Sequence, residues 1–139
     1  MKIIIGSDHA GFTYKSTIIS YLQKEELEII DVGTFSNESV DYPDYAHLVS
    51  KGINSGSCFG ILICGSGNGV SMAANKHKNI RSAVCWNVEI ASLARRHNNS
   101  NIISIPARFV SEEEAVKMIT VFLKEKFEGG RHLNRVKKI

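Results

Sequence analysis

The sequence predicts an α/β protein: a five-stranded parallel sheet between two layers of helices, folded as one domain over residues 1–139. Three observations predict it. Short apolar runs alternate with segments of helical periodicity from end to end. The two loops richest in chemistry, Asp8-His9 and the stretch opening at Cys64, each follow an apolar run directly. No repeat, low-complexity tract or linker interrupts the alternation. Strands joined through helices run parallel, and a parallel sheet needs both faces covered.

Lys2-Ile3-Ile4-Ile5 is the first strand, and the loop at 6–11 follows it. Phe12, Tyr14, Ile18, Ile19 and Leu22 then recur at helical spacing as far as Lys24. Residues 28–32 form the second strand, stopped by Gly33. A polar loop leads to Pro43, whose fixed φ suits a helix start, and that helix runs to about Ile53. Strand three covers 59–63, and a helix is expected from Ser71 to Lys76. Residues 81–85 make strand four, 88–96 a helix, and 101–105 strand five. Ser111 and Glu114 have capping-box spacing at the head of a helix carrying Val116, Ile119, Phe122 and Leu123. Gly129-Gly130 breaks the chain, and a last basic helix is expected over 131–138.

Composition narrows the class. At 139 residues, 43% hydrophobic and 22% charged, the chain can bury a core without disulfides or metal. Cys58, Cys64 and Cys85 are odd in number and lack metal-ligand spacing, which fits reduced thiols in a cytoplasmic protein. The run Ile3, Ile4, Ile5 ends at Gly6, too short for a secretory leader, and no stretch is apolar enough to span a bilayer. Net charge is +3, yet Arg131, Arg135, Lys137 and Lys138 account for it. Without them 13 basic residues face 14 acidic ones, a net −1. A near-neutral body with a small basic tail speaks against nucleic acid as partner.

Cys64-Gly65-Ser66-Gly67-Asn68-Gly69-Val70 is the most chemical segment. Its glycines let successive N–H groups converge, and the following helix adds its positive end. The loop is thus built for an anion, with a thiol at its entrance. The dinucleotide fingerprint G-x-G-x-x-G fails, because Val70 stands where the third glycine belongs. No Gly-Lys-Ser/Thr closes a P-loop. Cysteine phosphatases need an arginine where this chain has Val70, so that chemistry is disfavoured. Cys58 and Cys85 read as core residues. Cys64, beside a helix start, reads as an activatable thiolate. Arg131 and Arg135 stand four apart, so a helix places both on one face, fit to clamp a phosphate.

Taken together, Gly6 to Gly11, Asp41-Tyr42-Pro43-Asp44-Tyr45-Ala46, the Cys64 loop, Ala73-Ala74-Asn75-Lys76, Arg96-His97-Asn98 and Glu128-Gly129-Gly130-Arg131-His132 resemble, in this order, the ribose-5-phosphate isomerase type B family. Galactose-6-phosphate and allose-6-phosphate isomerases are its relatives, and the likeness covers nearly the whole chain. The resemblance implies a Rossmann-like domain that interconverts an aldose phosphate and its ketose through a cis-enediolate. It implies no metal and no cofactor, and a homodimer with shared active sites, with further pairing of dimers left open. By position, Cys64 resembles the base that moves the proton between C1 and C2. Gly65, Gly67, Asn68, Gly69 and Val70 resemble the cradle of the enediolate, with Ser66 near the reacting oxygens. Asp8 and Tyr42 resemble substrate contacts, and His97, with Asn98 beside it, the group that opens the furanose. His9, Arg108, Arg131 and Arg135 match phosphate-binding positions. Some members carry glutamate where this chain has Val70 and glycine where it has Cys64, so the thiolate version is implied here.

The remaining histidines read more plainly. Without the resemblance, His97 would be a surface residue at a helix end. His47 reads as structural, His77 as solvated, and His132 as pointing away from Arg131. Asp41 and Asp44 read as loop and helix-start residues. Two rivals stay in view. A silent sugar-phosphate-binding module could dispense with Cys64 and His97, and a six-carbon isomerase would differ in pocket depth.

Overall fold

The computed structural model describes residues 1–25, 27–53 and 57–139. Eleven principal elements follow in order: β1 (Lys2–Ser7), α1 (Phe12–Leu22), β2 (Glu28–Asp31), α2 (Tyr42–Gly52), β3 (Cys58–Cys64), α3 (Asn68–Ala74), β4 (Ser82–Val84), α4 (Val88–Asn98), β5 (Ile102–Pro106), α5 (Glu112–Lys124) and α6 (Gly130–Val136). A short 3-10 turn, His9–Gly11, precedes α1. The five strands pair in the order β2-β1-β3-β5-β4, every pair parallel. The predicted three-layer α/β/α sandwich is therefore the observed one.

Strand pleating sorts the core into two halves. Ile3, Ile5, Ile61, Ile63, Ile103 and Ile105 face α1, α4 and α5, where Ile18, Ala91, Met118 and Phe122 bury against them. Ile4, Leu62 and Ile102 face α2 and α3, meeting Val49, Val70 and Ala74. The central strands β3 and β5 are buried at every residue, so they read as unbroken apolar runs. A Cβ on Gly60 would stand 2.7 Å from Ile102 and 2.8 Å from Val49, so β3 approaches α2 closely only because that residue is glycine.

Local chemistry sets several boundaries. Asn87 caps α4 by accepting the Ile90 N–H at 2.9 Å, and Asn99 closes it in the left-handed conformation. Ser111 caps α5 as expected, accepting the Glu114 N–H at 3.1 Å. Lys15 is buried and ion-paired with Asp31, tying α1 to the end of β2.

Some expected boundaries shift. β1 runs on to Ser7 because Ser7 still pairs with Ile63. Helix α3 starts at Asn68, three residues early, because Gly67 takes φ +73° and turns the chain directly into it. β4 keeps only three residues, since it is an edge strand paired with β5 alone. The last helix spans Gly130–Val136, so the expected 131–138 was displaced toward the C-terminus. No helix among the described residues is long and apolar enough to cross a membrane.

Candidate active site

The sheet order reverses direction between β1 and β3: the chain leaves β1 toward β2 on one side and returns to β3 on the other. Ligands of open parallel sheets bind at the carboxyl ends of strands flanking such a reversal. The loops after β1, β3 and β5 meet there. The Asp8 N–H donates to the Ile63 carbonyl at 3.1 Å, the Ala107 N–H to Cys64 at 2.9 Å and the Arg108 N–H to Gly65 at 3.1 Å. A Cβ on Gly11 would lie 2.6 Å from Ile63, so glycine is needed for the first loop to close on β3.

These loops enclose a cavity of about 450 Å³ lined by Asp8, His9, Ala10, Tyr42, Cys64, Gly65, Ser66, Gly69, Arg108 and Phe109. Cys64 is only 4% exposed, and its Sγ accepts the Gly67 N–H at 3.2 Å. The sulfur therefore faces a backbone donor. Ser66 is exposed, and its Oγ accepts the Asn68 N–H at 3.3 Å. Asn68, Gly69 and Val70 form the first turn of α3, where N–H groups lack partners within the helix. The cradle is therefore a short loop at 65–67 followed by a helical start. Val70 enters it only through its backbone, because its side chain is wholly buried in the core.

The walls are equally specific. Asp8 Oδ1 accepts the Gly11 N–H at 3.1 Å, which orients a largely buried carboxylate. His9 Nδ1 accepts the Val40 N–H at 3.3 Å, leaving Nε2 to carry the proton and donate outward. Tyr42 packs closely against the cradle: a Cβ on Gly69 would sit 2.5 Å from its ring. Arg108 lies over Gly65, where a Cβ would meet its guanidinium at 3.2 to 3.3 Å. Phe109, 75% exposed at the rim, was not anticipated; its only sequence signal is adjacency to Arg108.

Four expected site residues lie elsewhere in the chain. A helix after a parallel strand runs back toward the amino edge, and the eleven residues of α4 carry it about 16 Å. His97 and Asn98, in its last turn, therefore occupy the edge opposite Cys64. Asn98 lines a separate cleft with Arg81, Ser100 and Ile139. Arg131 and Arg135 are exposed on α6, which packs on α4. The direction of α4 could have been read from the alternation of elements.

His97 instead meets His132, which the sequence reading left out of the site, and Glu128, which entered it only as part of a motif. Its ring stacks on His132 with centroids 4.1 Å apart and planes 8° from parallel, and its Nε2 lies 3.5 Å from Glu128 Oε2. His132 does point away from Arg131, which is exposed, and the turn at Gly129 and Gly130 brings its ring onto His97. His77 is also less solvated than expected: its Nε2 lies 2.8 Å from Nδ1 of His47. Cys58 and Cys85 are buried as anticipated, and burial pushes the Cys85 thiol up to about 12.

Known proteins resemble this chain along almost its whole length. Residues 3–139 match the family model described as Ribose/Galactose Isomerase. The chain is 43% identical to ribose-5-phosphate isomerase B of Escherichia coli, over 99% of this chain and 93% of that one. It is 44% identical to a probable ribose-5-phosphate isomerase B of Mycoplasma genitalium, with the same coverage. Among solved structures, ribose-5-phosphate isomerase B of Clostridium thermocellum superposes with a TM-score of 0.96 at 48% identity, covering 99% of this chain and 94% of that one. The M. genitalium enzyme with bound ribulose-5-phosphate gives 0.94 at 42%, covering 99% and 92%. With its motifs in order, its sheet reversal at the cavity and a match along almost its full length, the chain belongs to the ribose/galactose isomerase family.

Proposed function

We propose that the protein interconverts ribose 5-phosphate and ribulose 5-phosphate, with Cys64 as the base and no metal. The observation that carries this reading is the Gly67 N–H aimed at Cys64 Sγ, 3.2 Å away, on the floor of a cavity walled by His9, Arg108 and Asp8. An aldose C2–H is weakly acidic, so its removal needs both a poised base and donors for the charge that develops. Cys64 thiolate takes the C2 proton, and the electron pair forms the C1=C2 bond of an enediolate with its charge on O1. N–H groups of the cradle hold that charge; a single such donor is worth about 3 kcal/mol of barrier. The thiol returns the proton to C1, and the O2 proton passes to O1 with help from Ser66. Atoms balance without a redox partner.

The phosphate falls to His9 and Arg108 on the cavity wall and to Arg131 and Arg135 on α6. Within one chain α6 and His97 lie at the far edge of the sheet, so a complete site requires a second copy. A symmetric homodimer that exchanges these elements meets the need, and His97 then opens the furanose of its partner's substrate. The bound ribulose-5-phosphate named for the M. genitalium enzyme supports the sugar class. A six-carbon aldose phosphate is the second reading, favoured by the galactose in the family description.

Two measurements test the proposal. After chelator treatment, wild-type protein should form ribulose 5-phosphate from ribose 5-phosphate, and not convert galactose 6-phosphate or allose 6-phosphate comparably. Loss of turnover on chelation would refute the metal-free mechanism. Mixing inactive Cys64→Ala and His97→Ala proteins after reversible dissociation should restore about one quarter of wild-type activity, since half of the dimers then hold one intact site. No recovery would place His97 and Cys64 in sites of the same chain, or outside the same site altogether.

A further inference from the structure

The His97, Glu128 and His132 cluster at the amino edge has donor atoms within 4.8 Å of one another, a spacing that suits a metal ion. The ring planes argue otherwise. Imidazole lone pairs lie in the ring plane, and two rings 8° from parallel and 4.1 Å apart share no plane in which one ion could sit. What the cluster does instead follows from how Glu128 is held. Its backbone N–H donates to the Arg96 carbonyl at 3.0 Å, and its Oε1 accepts from Arg96 Nε at 2.7 Å. Both ends of the residue are pinned to α4, one position before His97. The second oxygen, Oε2, is left facing Nε2 of His97 at 3.5 Å and Nε2 of His132 at 3.8 Å. Gly129 and Gly130, with φ +67° and +52°, permit the sharp turn that lays His132 flat on His97.

We propose that Glu128 is a positioning residue for ring opening: its clamped carboxylate takes the Nε2–H of His97, so that Nδ1 presents the lone pair to the sugar. This rests on the reading of His97 as the group that opens the furanose. Nδ1 takes the proton of the C1 hydroxyl, the freed O–H pair forms the C1 carbonyl, and the bond from C1 to the ring oxygen breaks with its electrons on that oxygen. The imidazolium then returns the proton to the ring oxygen. A carboxylate fixes one tautomer and steadies the transient imidazolium, as in other His–carboxylate pairs. Spacing of 3.5 Å before substrate arrives is ordinary for a pair that tightens in the complex. His132, stacked on the other side, prevents the ring from turning its wrong nitrogen outward. The charged and titratable groups facing the cluster are Arg96 beside Glu128, Glu128 and His132 beside His97, and Arg131 and Arg135, which act on His132. Its partner Arg96 keeps Glu128 below the usual carboxylate range, and burial together with His97 and Arg131 lowers His132.

The test pairs two reactions. Isomerisation from ribose 5-phosphate needs the ring opened, whereas deuterium wash-in at C1 of acyclic ribulose 5-phosphate needs only Cys64 and the cradle. Glu128→Gln should lower kcat from ribose 5-phosphate about 10- to 100-fold while leaving wash-in within about 2-fold. The loss should fall on kcat, with KM for ribose 5-phosphate within about 2-fold, because Glu128 orients the base and holds no substrate. Retained wash-in also reports an intact fold. Equal loss of both reactions, or unchanged turnover, would overturn the proposal. His97→Ala separates the two readings. If it isomerises normally, the ring-opening role falls and the proposal with it; if only His97→Ala is impaired, the role of Glu128 alone falls.

Discussion

Cys64 and Cys85 invite comparison, because both are buried cysteines at the carboxyl ends of strands, one the last residue of β3 and the other directly after β4. Cys64 Sγ receives the Gly67 N–H from a glycine in the left-handed conformation and borders a cavity. Cys85 is fully enclosed by the apolar core, and its Sγ reaches only the Ala83 carbonyl, at 3.7 Å. A donor stabilises a thiolate; an acceptor and an apolar wall forbid one. Burial alone therefore says nothing about reactivity. The sign of the nearest dipole decides.

The sharpest way to break the contrast is to remove each sulfur. Cys64→Ala should lower turnover at least about 10³-fold with little change in thermal midpoint. Cys85→Ala should leave turnover within about 2-fold and lower stability by about 1 kcal/mol, for lost transfer energy and a small cavity. Reversed outcomes in steady-state assays and urea titrations would end the distinction between a working and a structural thiol.

Gly67→Ala tests the dipole itself. Its φ of +73° disfavours any side chain, and the new Cβ would press on the Pro106 nitrogen at 3.2 Å. Displacing that N–H from Cys64 should reduce turnover about 10²-fold. Iodoacetamide alkylation of Cys64 at pH 7, followed by mass spectrometry, should slow in parallel. Undiminished alkylation would show that the donor does not set the thiolate population.

The smallest effect concerns pH. Cys85 keeps its proton to about 12 when folded, whereas an unfolded thiol loses it near about 8.5. The folded state therefore holds more protons in that window, and stability is full below it and falls as pH rises through it. The slope is about 1.4 kcal/mol per pH unit. Urea midpoints at pH 8, 9 and 10 should fall more steeply for wild type than for Cys85→Ala. Parallel lines would mean that Cys85 is less enclosed than the core around it implies.

Much of the site was legible because its parts are local. Asp8, His9 and the Cys64 loop each follow a strand at once, and parallel strands deliver such loops to one edge without further information. Capping at Ser111 and the turn into α3 rest on hydrogen bonds only three residues long. Where the reading slipped, the deciding contacts were distant in sequence. β4 shortened because only one neighbour pairs with it, and the contact of His132 with His97 went unseen because Gly129 and Gly130 set the angle of α6.

The sequence by itself determined the alternating pattern, the two-faced core, the cradle with its thiol, and the family to which they point. Those features depend on periodicity, glycine spacing and side-chain chemistry within a few residues. Only the tertiary structure decided that Gly67 aims its N–H at Cys64, and that His97 stands at the opposite edge, stacked on His132 beside a carboxylate held by Arg96. Such facts depend on the direction of one helix and the packing of another against it. Those are set by the summed burial of the whole chain and are written in no single motif.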